Sequence, residues 1–157
     1  MHLRLLPCYL TLALALSPIL RAQDAMAPAP AAPAADKEVK TELEMKMGKV
    51  GKAFRALRKQ APDASMNEAS LKLVATMEAG LKDAMDLTPA KAADLPDDQK
   101  PQFIADYKAG LKGMLDVLAK LEADFKAGNN EDAVKVLAEV GALEKKDHKA
   151  FQKPKAN

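Results

Sequence analysis

Hydrophobic positions in this chain recur at spacings of three and four along four separate stretches, the periodicity of amphipathic helices rather than of strands. In the first stretch Leu43, Met47, Val50, Phe54 and Leu57 share one stripe, which predicts a helix from about Asp36 to Gln60. Met45 points roughly 200° away from Met47 around such a helix, so Met47 is the methionine that faces inward. Pro62 stops the helix, and Ser65 with Glu68 three residues on reads as a capping box that opens a second one. The second stripe is Val74, Met77, Leu81 and Ala84, and a long connection runs from Pro89 through Pro101.

The third stretch carries the strongest periodic signal: Ile104, Tyr107, Leu111, Met114, Leu118, Leu121 and Phe125 repeat without a break. Gly128 suits the left-handed position after a helix end, and Asn130 is the expected cap of a fourth helix that opens with Glu131 and Asp132. That helix turns Ala133, Leu137 and Val140 inward and continues through Glu144 and His148 to Phe151, before Pro154. Four such stripes, joined by one long and two short links, bury one another most simply in an all-α, antiparallel up-down-up-down four-helix bundle.

Outside the helices the pattern changes. Residues 1–22 have a short basic start, an apolar run from Leu5 to Leu20 and small residues at possible cleavage sites, which is the form of a secretory signal peptide. Pro7 and Pro18 and the short length argue against a retained membrane span. Residues 23–36 are mostly Ala and Pro and read as a linker, residues 37–153 as the bundle domain, and residues 154–157 as a tail. Export to the periplasm is the expectation, with no membrane insertion after cleavage. Cys8, the single cysteine, lies in the leader, so neither disulfides nor thiolate metal sites are expected beyond it. Without Arg4 and Arg21 the 24 basic residues become 22, equal to the 22 acidic ones, and this balance implies no nucleic-acid partner.

Candidate chemistry narrows to very few residues. Beyond the leader there is one histidine, His148, which leaves the usual catalytic arrangements poorly supplied and rules out the paired Glu-x-x-His motifs of a di-iron bundle. His148 follows Leu137 by eleven residues, close to three full turns, so it projects from the face of the core stripe. A histidine near a helix end commonly serves only the dipole, and a core methionine is commonly only packing. In an up-down-up-down bundle, however, Met47 and His148 belong to the same end, and a thioether opposite an imidazole is an iron-ligand pair that leaves haem without an open coordination position. Gly48 and Gly51 beside Met47 weaken the helix and hint at a close approach by a haem face or a neighbouring helix. Glu144 with His148 offers only a loose two-ligand metal site.

With those residues in place the chain resembles the soluble cytochrome b562 family, exported bundles that hold one b-type haem between a Met and a His. The likeness rests on the Leu43-to-Leu57 stripe with Met47, on Met77 and the segment Thr88, Pro89, Ala90, Lys91, on Asp106, Tyr107, Gly110, Leu111, and on His148 with Phe151. It implies an electron carrier rather than an enzyme, with one non-covalent haem b per chain. Met47 and His148 would be the axial iron ligands, and Leu43, Met77, Pro89, Tyr107 and Leu111 the pocket walls. No Cys-x-x-Cys-His occurs, so a covalent haem is not expected. The partners implied are redox proteins, docked on the lysine-rich end of the last helix, and the carrier would be a monomer. The chain departs from the family at Leu111, at Glu144 and Gln152 in place of arginines, and at Asp147 in place of a tyrosine. Lys145, Lys149 or Lys153 would then have to meet the haem propionates. The alternative is a haem-free periplasmic bundle that acts as a binding or stress-related interaction module.

Overall fold

The computed structural model describes residues 41–154; the expected leader, linker and the end of the tail lie outside the described residues. Four helices follow one another, α1 (Glu42–Gln60), α2 (Asn67–Ala84), α3 (Lys100–Ala127) and α4 (Asn130–Phe151), with 3-10 turns at Ala64–Met66 and Ala90–Asp94. No strand occurs among the described residues. None of these helices is long and apolar enough to cross a membrane.

Local chemistry sets the helix ends, in places differently from the expectation. α1 starts at Glu42 because Thr41 and Glu44 form a reciprocal capping box: the Thr41 hydroxyl accepts from the Glu44 N–H at 3.2 Å, and Glu44 accepts from the Thr41 N–H at 2.7 Å. The Ser65–Glu68 box does not form. The Asp63 carboxylate takes the Ser65 N–H (2.9 Å) and hydroxyl (2.7 Å) instead, which tightens the segment into a 3-10 turn and leaves Glu68 to pair with Lys72 at 2.8 Å. α3 starts four residues before Ile104, with Pro101 in its first turn, where a missing N–H costs nothing. Gly128 ends it in the left-handed region at φ 76°. Asn130 is not a cap. Its amide donates to the Ala61 carbonyl (2.6 Å) and to Asn67 Oδ1 (2.8 Å), while Asn67 Nδ2 donates to the Phe125 carbonyl (3.3 Å), so two amides tie four helix ends together.

Successive helices pack along their lengths, α1 on α2, α2 on α3 and α3 on α4, in antiparallel order. α1 and α4 make no comparable approach. Leu57, Leu118, Leu121 and Phe125 are dry at the end closed by the two asparagines, and Met77, Leu81 and Ala84 are as dry towards the other. Each of these side chains larger than alanine contributes roughly 1.5–3 kcal/mol by leaving water. The opposite end gathers the start of α1, the end of α2, the start of α3 and the end of α4, and there the α1–α4 seam opens.

Candidate functional site

The seam opens into a cavity of about 620 Å³ whose lining includes Leu43, Met47, Met77, Pro89, Tyr107, Leu111 and His148. Met77, Pro89, Tyr107 and Leu111 are buried, and Leu43 and Met47 are half-buried. Met45, on the far side of α1, is 53% exposed, as its helical phase requires. His148 sits at the cavity wall and is exposed, less enclosed than a place on the Leu137 stripe suggested, because α1 does not close over the last turns of α4.

Several contacts fix the floor of this cavity. The Tyr107 hydroxyl donates to the Ala84 carbonyl at 3.0 Å, locking α3 to the end of α2. Burial pushes the Tyr107 phenol up to about 12. Phe151, one turn after His148, meets Tyr107 and Phe103 edge to face, with ring centroids 5.5 and 5.4 Å away. Lys91 donates to the Ala150 carbonyl at 2.6 Å, and Lys153 reaches Asp94 at 2.9 Å. The last turn of α4, and with it His148, is therefore held to α3 and to the α2–α3 connection rather than to α1.

The α1 wall is unusually bare. A Cβ on Gly48 would meet nothing within 4 Å, and one on Gly51 would meet only the Arg55 guanidinium at 3.5 Å. No neighbouring helix accounts for these glycines; they widen the cavity beside Met47. The close helix–helix approach falls at Gly80 on α2, where a Cβ would lie 2.6 Å from Val50 Cγ2. On the other wall Asp147 fits against Gly110, whose Cβ would stand 3.3 Å from its carboxylate oxygens. Burial pushes the Asp147 carboxyl up, against the opposing pull of Lys146 and His148.

The charged rim comprises Glu44, Glu144 and Asp147 against Arg55 and Lys153. Lys153 is thus the one of the three expected lysines that reaches the cavity, and Arg55 is a cation that sequence reading missed. Among the described residues no group of three or more His, Cys, Asp or Glu could hold a metal ion by itself. The soft and borderline donors in the lining are instead three thioethers, Met47, Met77 and Met114, and one imidazole, His148, with Met47 on α1 and His148 on α4. Such donors, glycines where a flat ligand needs room and buried apolar walls fit a haem.

A family model described as cytochrome b562 matches residues 42–152, a span that takes in all four helices. Neither a curated protein nor a solved structure matches the chain.

Proposed function

The chain belongs to the cytochrome b562 family of haem-binding electron-transfer bundles, and on that premise we propose that it is a monomeric periplasmic electron carrier holding one non-covalent b-type haem between Met47 and His148. The observation that carries this reading is that the Met47 thioether and the imidazole, 101 residues apart in sequence, line one cavity at the loosely packed α1–α4 seam. When bound, haem supplies a one-electron iron couple with both axial positions filled, hence transfer rather than substrate chemistry.

The residues of the chain do the rest. Leu43, Met77, Pro89 and Leu111 exclude water from the slot, and a drier, less polar surround favours the less charged iron state. Tyr107 holds its proton on the Ala84 carbonyl and serves as a wall. Phe151 and Lys91 orient the turn that carries His148. Lys145, Lys146 and Lys149 are exposed on the same last turns and offer a cationic face to an acidic redox partner. The form of residues 1–22 supports export.

A haem-free binding module is the second reading, and one observation favours it: three carboxylates rim a cavity that would have to admit a dianionic porphyrin. Optical spectra of the purified protein with stoichiometric haem, oxidised and reduced, separate the two. Sharp low-spin bands that Met47→Ala and His148→Ala each abolish are expected. Absence of specific haem uptake by the native protein would overturn the carrier reading.

A further inference from the structure

The cavity rim contains one cation without a carboxylate partner. Of the two basic side chains in the lining, Lys153 is engaged by Asp94 at 2.9 Å, whereas Arg55 forms no salt bridge among the described residues. Its neighbour Arg58 is used elsewhere, over the Phe54 ring at 5.7 Å. Arg55 folds back along α1 so that Nη1 lies 3.5 Å from the place of a Cβ on Gly51. Gly51 is one turn beyond Met47, about 5.4 Å along the axis, so the guanidinium stands beside the slot rather than over its centre. α4 runs antiparallel, and its residue one turn before His148 is Glu144, also in the lining. Arg55 and Glu144 therefore flank the slot at corresponding levels.

A carboxylate entering there meets like charge from Glu144 and has one guanidinium available to it. A planar guanidinium grips a carboxylate with two parallel hydrogen bonds. Resting on the haem reading above, we infer that Arg55 is the anion-binding residue of this site, receiving a propionate carboxylate of the porphyrin edge. Because Arg55 is exposed, the contact is modest and screened by salt.

Absorbance titrations with haem and with haem dimethyl ester, whose propionates are uncharged, test this on the native protein, Arg55→Ala, Arg55→Lys and Glu144→Gln. Arg55→Ala is expected to weaken haem binding roughly threefold to tenfold and to leave ester binding unchanged, with the difference shrinking in high salt. Arg55→Lys should recover part of the loss, and Glu144→Gln should tighten haem but not ester. Equal weakening of both ligands by Arg55→Ala would make Arg55 a packing residue, and no change in either would remove it from the site; both results overturn the inference while the haem reading stands. A native protein that binds neither ligand overturns the haem reading and this inference with it.

Discussion

Tyr107 shows how a single side chain can be both a wall and a fastening. Tyr107 is 5% exposed and its hydroxyl donates to Ala84, and burial pushes its phenol up to about 12 in the folded protein. The unfolded chain releases the phenol proton near the ordinary tyrosine value of about 10. Stability from this group is thus complete below pH 10 and falls as pH rises from 10 to 12, by about 2.7 kcal/mol at most. Urea midpoints across that range should show the fall, and Tyr107→Phe should remove this component while costing about 1 kcal/mol at neutral pH for the lost hydrogen bond. A Tyr107→Phe protein with an unchanged alkaline slope would refute the assignment.

At the scale of elements, glycines on α1 and α2 have opposite meanings. Gly80 lies where α2 crosses Val50 of α1, with 2.6 Å between its absent Cβ and Val50 Cγ2, so Gly80→Ala forces the helices apart and should destabilise the bundle by about 1–3 kcal/mol. Gly48 faces open space, so Gly48→Ala in the haem-free protein should gain up to about 1 kcal/mol from helix propensity. Chemical denaturation of the two variants reads opposite signs, and a stabilising Gly80→Ala would mean that the α1–α2 seam has slack. Propensity alone gives both glycines one value; their packing separates them.

The whole molecule is a bundle shut at one end and open at the other. Asn67 and Asn130 seal carbonyls at the ends of α1 and α3 where Leu121 and Phe125 are dry, while the Met47–His148 end keeps a cavity of about 620 Å³. A ligand that fills it binds the folded chain and not the unfolded one, so haem at a hundredfold excess over its Kd should add about 2.7 kcal/mol and raise Tm by several degrees. Thermal melts followed by circular dichroism, with and without haem, check this. An unchanged Tm in the presence of bound haem would place the haem outside the folded core.

The helices and their inward faces were legible in the sequence because a 3.6-residue period is a local property: the stripes through Leu57, Leu81, Leu118 and Leu137 all became core. That Met47 and His148 stand at one end of the bundle was legible from phase and antiparallel order; that His148 lies exposed at the cavity wall was not. Helix starts were less legible, since Ser65 had two suitors and the nearer, Asp63, won its N–H. Three features only the tertiary structure decided. The α1–α4 seam stays open, Asn130 leaves its cap to bridge to Ala61 and Asn67, and Arg55 turns over Gly51 into the cavity. The first two depend on which residues distant in sequence stand face to face, and the third on a side-chain rotamer on α1; spacing along one helix carries no information about either.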